Sequence, residues 1–170
     1  MVRQLIKYYL FLFCGILLIS CSRQQPPKPD QESQFLLMIP KSDVNTKIQL
    51  ISQRFGQDQA IIIMNESNES IMFKQGFNLK IYSYDYIEQE WVQIQNKVEY
   101  ISENPLVLVP QKINAENSFQ DVTIKPDLEE KDLPITIRVL VTGNLYQNNE
   151  MTDYQVSAYT DIKLDESYIP

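Results

Sequence analysis

The feature that most constrains the fold is an alternation of side chains with a period of two near the C-terminal end. Aliphatic residues occupy every second position between residues 135 and 142, namely Ile135, Ile137, Val139 and Val141. Successive side chains point to opposite faces of a strand, so this period predicts a β-strand with one buried face. A second run shows the same period, with one face formed by Tyr154, Val156, Ala158, Ile162 and Leu164. The residues between, Gly143 to Asp153, contain three asparagines that favour turns, which predicts an antiparallel hairpin.

Shorter segments of the same kind precede this hairpin. They are Lys47 to Gln53, Gln59 to Met64, Asn78 to Tyr84, Trp91 to Tyr100, Leu106 to Val109 and Val122 to Lys125. Asparagine and proline clusters separate them, and no convincing amphipathic helix intervenes. The sequence therefore predicts an all-β domain over residues 35–170, an antiparallel sandwich of about seven to nine strands. A jelly roll or a partly open barrel is the alternative.

This pattern resembles the immunoglobulin-like and fibronectin-type sandwiches over Leu36 to Leu164. The resemblance is architectural. No cysteine pair is available to bridge the two sheets, and Arg138 stands where a corner tyrosine would be expected. A sandwich of this kind hosts many functions, so the fold implies no activity.

The N-terminal twenty residues have the pattern of an export signal. Arg3 and Lys7 precede an apolar run of about twelve residues, Tyr8 to Ile19. A transmembrane helix needs about twenty apolar residues, so a removable signal peptide (residues 1–20) is favoured over a permanent membrane helix.

The four residues Leu18-Ile19-Ser20-Cys21 resemble the lipobox of bacterial lipoproteins. The resemblance implies that Cys21 receives a diacylglyceryl group and becomes the N-terminus after cleavage, so that the lipid attaches the protein to a membrane of the bacterial cell envelope, outside the cytoplasm. In a host with two membranes, Ser22 after the cysteine implies that the protein is not retained in the inner membrane. The sequence does not indicate whether the host has one membrane or two, so it does not decide between the inner and the outer membrane. Residues 21–34 are polar and rich in proline, which predicts a flexible tether.

Composition excludes several function classes. Of 15 basic residues, Arg3 and Lys7 fall in the signal peptide, so 13 remain against 22 acidic residues, a net charge of −9 that disfavours nucleic-acid binding. The chain has no histidine, and both cysteines, Cys14 and Cys21, precede the domain. Disulfides, histidine-based catalysis and the common zinc sites are thereby excluded, and we expect no cofactor and no metal.

The candidate binding residues share one face of the strand near Ile81. They are Lys80, Tyr82, Tyr84 and Tyr86. An exposed row of tyrosines could stack on sugars or dock a protein. The alternative is ordinary packing between strands, which strands rich in tyrosine also show. Trp91, the single tryptophan, is expected to fill core volume at a strand end.

Four acidic residues cluster between Pro126 and Pro134, namely Asp127, Glu129, Glu130 and Asp132. They could supply oxygen ligands to calcium, but their spacing fits no calcium-loop template, and Lys131 lies among them. A soluble acidic connection is the favoured interpretation.

Together, these features predict a lipid-anchored envelope protein whose sandwich binds a protein or glycan, or acts as an accessory module, without catalysis. Small β-sandwich proteins outside the cytoplasm also include proteinase inhibitors, which is an alternative. A hydrolase that uses two carboxylates is a further alternative, because glycoside hydrolysis needs no histidine.

Overall fold

The computed structural model describes residues 29–39, 42–55, 58–98, 105–111 and 116–168. The predicted signal peptide, the lipobox-like residues with Cys21 and the first part of the expected tether lie outside these residues. Within them, the chain forms one α-helix and ten strands. The helix is α1 (Pro29–Met38), and the strands are β1 (Ser42–Val44), β2 (Ile48–Phe55), β3 (Asp58–Asn65), β4 (Ser70–Phe73), β5 (Lys80–Asp85), β6 (Glu90–Ile94), β7 (Leu106–Leu108), β8 (Phe119–Ile124), β9 (Ile135–Gln147) and β10 (Glu150–Leu164).

The strands form two sheets that enclose a common core. The larger sheet has seven strands, with β1, β10 and β9 in that order; β9 then pairs with β5 along one half and with β4 along the other, and β6 and β7 lie outside these two. The smaller sheet has the order β2, β3, β8. All pairs are antiparallel except the one between β1 and β10. The predicted all-β sandwich is confirmed, with two short strands, β1 and β4, that the alternation did not reveal.

The main core is aliphatic and draws on both sheets. Its fully buried members include Ile61, Ile63, Ile71, Ile124, Ile137, Val139 and Val141. The odd-numbered face of β9 thus lies in the core, as its alternation predicts. Burial of such side chains stabilises a fold by about 1.5–3 kcal/mol each relative to exposure.

The hairpin of β9 and β10 has a tighter turn than predicted. Both strands reach the two-residue turn Asn148-Asn149, where both residues have positive φ (52° and 62°), as the turns that join twisted antiparallel strands require. The expected connection from Gly143 to Asp153 is therefore wrong. A register shift between Met151 and Gln155 places Tyr154 at the surface, away from the buried face to which it was assigned.

Gly143 marks a close approach of two strands. A Cβ atom at this position would lie 2.7 Å from Cγ2 of Ile71 on β4 and 3.1 Å from the carbonyl oxygen of Met72. Only a residue without a side chain allows β9 to pass β4 at this distance. The glycine that sequence placed in a turn instead serves packing.

Residues 29–34 were assigned to the flexible tether, and this assignment is wrong, because they form the first part of α1. Pro29 is the first helical residue, a position where its fixed φ and missing N–H are tolerated. Among the described residues, no helix has the length and apolar character needed to cross a membrane.

Candidate functional site

The four candidate residues on and beside β5 do not form one exposed row. Lys80 and Tyr86, at the two ends, are exposed, whereas Tyr82 and Tyr84 between them are buried. Burial raises the pKa of the Tyr82 phenol above its ordinary value. An exposed row is therefore wrong for Tyr82 and Tyr84, which pack as the alternative interpretation expects, but against a second layer that the sequence interpretation did not include.

That layer is helix α1, which places Phe35 on the outer face of the larger sheet. The Phe35 side chain is fully buried, and its ring centroid lies 5.3 Å from Tyr82, 5.0 Å from Trp91 and 5.3 Å from Tyr159. Ile39 is buried in the same cluster, together with Leu140. Trp91 is therefore a packing residue, as expected, although its cluster lies beneath the helix and not between the sheets.

A buried arginine stands at the centre of this layer. Arg138 of β9 is 3% exposed, and its Nε and Nη2 donate to the two carboxylate oxygens of Asp161 at 2.7 and 2.8 Å. Its Nη1 donates to Oε2 of Glu32 on α1 at 2.8 Å. The guanidinium carbon also lies 4.3–4.8 Å from the ring centroids of Tyr159, Trp91 and Phe35, which is within the range of cation–π interactions.

The network around Arg138 ties the helix to the sheet. Burial lowers the pKa of Arg138, but its hydrogen bonds to Asp161 and Glu32 outweigh this effect and leave the pKa above the ordinary value. The Tyr159 hydroxyl donates to Oε1 of Glu32, and burial followed by this bond raises the pKa of Tyr159 to about 12. Trp91 Nε1 donates to the backbone oxygen of Gln31 at 3.0 Å.

Sequence reasoning missed this network, although one signal pointed to it. Arg138 lies between Ile137 and Val139 in the middle of the longest aliphatic alternation, and the observed register of the hairpin places Asp161 opposite it. A cross-strand pair of opposite charges within an apolar strand is a candidate for burial. Nothing in the sequence placed Glu32 beside it, because that residue was assigned to the tether.

The two candidate regions that sequence kept apart meet at a groove. The turn that joins β5 to β6 forms one wall, and the acidic segment after β8 forms the other. The groove has a volume of about 620 Å³ and is lined in part by Tyr84, Tyr86, Ile87, Asp127, Leu128 and Asp132. We call it the hairpin groove.

Hydrogen bonds to backbone N–H groups hold both walls of the hairpin groove in place. The backbone N–H of Lys97 donates to the carbonyl oxygen of Lys125 at 2.7 Å, and the backbone N–H of Asp127 donates to the carbonyl oxygen of Gln95 at 2.8 Å. These bonds connect the acidic segment to the residues after β6. On the other wall, Asp85 Oδ1 accepts the N–H of Ile87 at 2.8 Å and so fixes the turn. A groove whose walls are fixed before binding loses little conformational entropy when it is filled.

The acidic side chains of the second wall have close partners of their own. Asp127 pairs with Lys97 at 2.8 Å, Glu129 pairs with Lys131 at 2.6 Å, and Asp132 accepts the N–H of Glu129 at 2.8 Å. The bond to Glu129 raises the pKa of Lys131. Within the described ranges, no group of three or more acidic or cysteine side chains is close enough to hold a metal ion.

The mouth of the hairpin groove carries exposed apolar surface. Tyr86 is 42% exposed and Ile87 is 83% exposed, and the Tyr86 ring packs edge-on against Tyr84 at 5.1 Å. Burial, followed by the neighbouring Tyr84, raises the pKa of the Tyr86 phenol. The groove thus combines a supported aromatic ring and an aliphatic side chain with hydrogen-bonding groups on the facing wall.

No protein-family model matches this chain, and no curated protein matches its sequence.

Proposed function

We propose that this chain is a bacterial lipoprotein, attached to a membrane through lipid on Cys21, whose sandwich binds a protein or glycan of the cell envelope without catalysis. The proposed binding role is supported by the hairpin groove, in which Tyr86 and Ile87 remain exposed beside the acidic wall.

The chemistry of the groove suits recognition. A tyrosine ring offers a large apolar surface at little entropic cost and a hydroxyl that can donate or accept a hydrogen bond. The contact between Tyr84 and Tyr86 supports that ring from below. Sugars stack on such rings, and peptides insert apolar side chains beside them, so both ligand classes fit the exposed pair Tyr86 and Ile87.

The lipobox supports the membrane part of the proposal, and the start of α1 refines it. Only residues 22–28 separate Cys21 from Pro29. At about 3.6 Å per residue for a fully extended chain, this spacer spans at most about 30 Å. A domain on such a spacer stays close to the bilayer surface, where its partner would have to be reached.

Site-specific photocross-linking in the native envelope tests the binding role. A photoreactive amino acid at Ile87 should give an adduct of one defined mass, and Tyr86→Ala in the same chain should reduce its yield. The matched control is Met151, an exposed apolar residue at the other end of the β9 and β10 hairpin. Equal adducts from positions 87 and 151, or an adduct indifferent to Tyr86→Ala, would contradict a binding role for the groove.

Metabolic labelling with a fatty-acid analogue tests the anchor. Cys21→Ala should abolish labelling and leave an uncleaved precursor, because no other residue of the lipobox can form the thioether. Ser22→Ala is the matched control and should be labelled as the wild type is. Label retained on Cys21→Ala would disprove the anchor assignment.

A further inference from the structure

The last turn of α1 is apolar on every side. Phe35, and Ile39 directly after the helix, are buried against the sheet, whereas Leu36, Leu37 and Met38 are 42%, 87% and 49% exposed. At about 100° per residue, Leu37 lies opposite the buried face, with Leu36 and Met38 flanking it. A helical surface that is apolar all round is ordinarily buried all round.

The first turns of the same helix are different. Gln31, Glu32, Ser33 and Gln34 are polar. Glu32 is held by Arg138 and Tyr159, so the polar half is fixed against the sheet. The apolar surface of α1 is therefore confined to its C-terminal turn, and the network around Arg138 fixes the direction in which Leu37 points.

We propose that Leu36, Leu37 and Met38 insert into the surface of the lipid bilayer to which Cys21 is attached. This inference rests on the proposed lipid attachment. The spacer of residues 22–28 reaches at most about 30 Å and the helix adds about 1.5 Å per residue, so Leu37 lies no more than about 40 Å from the anchor. Among the described elements, α1 is the nearest to Cys21 in the sequence, and the apolar turn is part of it.

Tethering makes weak insertion sufficient. A short linker holds its two ends at an effective concentration of about millimolar, so a surface that would not bind vesicles from solution can be occupied when the lipid is already inserted. Leucine and methionine side chains partition into the boundary between headgroups and acyl chains without a directional partner.

Charge determines which feature of the bilayer is recognised. The chain without its signal peptide has a net charge of −9, and none of Leu36, Leu37 and Met38 is basic. The apolar turn itself therefore offers no charge to anionic headgroups, and its contact with the bilayer depends on apolar burial. Insertion should accordingly be insensitive to salt.

A fluorophore at position 37 tests the proposal in the acylated full-length protein. No cysteine follows Cys21, whose thiol is blocked by the lipid, so Leu37→Cys can be labelled alone with nitrobenzoxadiazole. The matched control is Phe119→Cys, an apolar residue 51% exposed on the smaller sheet, whereas α1 covers the larger one. Both proteins are reconstituted in vesicles of phosphatidylethanolamine and phosphatidylglycerol.

We expect the label at position 37 to shift to shorter wavelength on reconstitution and to lose intensity when the vesicles contain acyl chains with a spin-label quencher. The label at position 119 should show neither change, and salt should not reverse the shift at position 37. Intact mass establishes acylation in the same samples. An acylated protein whose two labels behave alike would overturn the insertion and leave the lipoprotein proposal standing, whereas a protein without the acyl mass would overturn both.

Discussion

The two faces of strand β9 border layers of different chemistry. On the inner face, Ile137, Val139 and Val141 meet other aliphatic side chains of both sheets. On the outer face, Arg138 and Leu140 meet aromatic rings, carboxylates and a helix. The inner layer depends on apolar burial alone, while the outer layer also needs a specific arrangement of charges.

This difference explains why sequence reasoning recognised one layer and not the other. Alternation identifies a buried face by its aliphatic residues, but it leaves open whether the opposite face meets solvent or another element. The comparison also implies unequal stability, because the outer layer includes a single helix of ten residues that an isolated chain could not maintain.

The inner layer should not tolerate a charge. Ile137→Asp would bury an unpaired carboxylate among aliphatic side chains at a cost of several kcal/mol, comparable to the ~5–15 kcal/mol stability of a typical domain. We expect loss of the β-type circular dichroism signal and of the cooperative thermal transition. Lys163→Asp, at an exposed position of β10, is the control and should melt near the wild type. A folded Ile137→Asp variant would contradict the assignment of this face to the core.

The outer layer should detach without unfolding the inner one. Phe35→Ala removes the residue through which α1 contacts Tyr82, Trp91 and Tyr159, at a cost of about 3–5 kcal/mol. Trp91 is the single tryptophan and reports on this layer directly. We expect its emission to shift to longer wavelength while the β-type circular dichroism persists. Leu37→Ala, on the exposed side of the same helix, should change neither signal; simultaneous loss of both signals in Phe35→Ala would show that the two layers unfold as one.

Much of the fold was predictable because it rests on local periodicity. Six of the earlier strands and the final hairpin overlap their predicted positions, since β-branched and aliphatic residues alternate there, although β6 ends at Ile94 and is shorter than predicted. Helix α1 was missed because its apolar residues do not recur three and four positions apart, as they do in an amphipathic helix. Its sequence is Pro-Asp-Gln-Glu-Ser-Gln-Phe-Leu-Leu-Met, with all the apolar side chains except that of Pro29 at the C-terminal end. Its stability comes from contacts distant in sequence, such as Glu32 with Arg138, which no local pattern encodes.

The candidate site was predictable only in part, for the same reason. Parity placed Tyr82 and Tyr84 correctly on one face of β5, with Tyr86 in the turn that follows, but exposure depended on α1. The acidic segment was recognised as a loop between strands, and its approach to Tyr86 depends on pairing between the residues after β6 and those after β8. Contacts between residues so far apart in the sequence can be recognised only once the fold is known.

Removing the central cation should weaken the outer layer through its charges. Arg138→Ala leaves Asp161 and Glu32 without their common partner, and because both carboxylates are partly exposed we expect a loss of about 2–3 kcal/mol, below that of a fully buried pair. Arg138→Lys keeps the charge but not the two parallel bonds to Asp161 and should lose less. Urea denaturation measures both. If Arg138→Lys is as destabilised as Arg138→Ala, the geometry of the guanidinium, and not its charge, stabilises the layer.

Alkaline pH should loosen the same layer. The pKa of Tyr159 is raised from 10.0 to about 12 in the folded protein, so the protonated phenol is favoured by folding. This contribution is fully present below pH ~10 and is lost as the pH rises from about 10 to about 12. Unfolding by urea should therefore show a decline over this window that is smaller in Tyr159→Phe, a variant that cannot ionise there. Parallel profiles for the two proteins would show that Tyr159 is not the group responsible.

The smallest effect on stability is expected where the outer layer ends, at the hairpin groove. Tyr84 is buried against Trp91 and Tyr86, so Tyr84→Ala should cost about 1–3 kcal/mol. Tyr86 remains 42% exposed, so Tyr86→Ala should cost less than about 1 kcal/mol.

If the groove is the binding site, the order of the two variants reverses for function: Tyr86→Ala stays folded by circular dichroism and thermal melting but loses the adduct formed at position 87. Tyr86→Phe, which keeps the ring without its hydroxyl, then separates stacking from hydrogen bonding, because full retention of the adduct in this variant assigns recognition to the ring alone. A Tyr86→Ala protein that melts as early as Tyr84→Ala would instead show that the outer layer continues through Tyr86 and that this tyrosine serves packing.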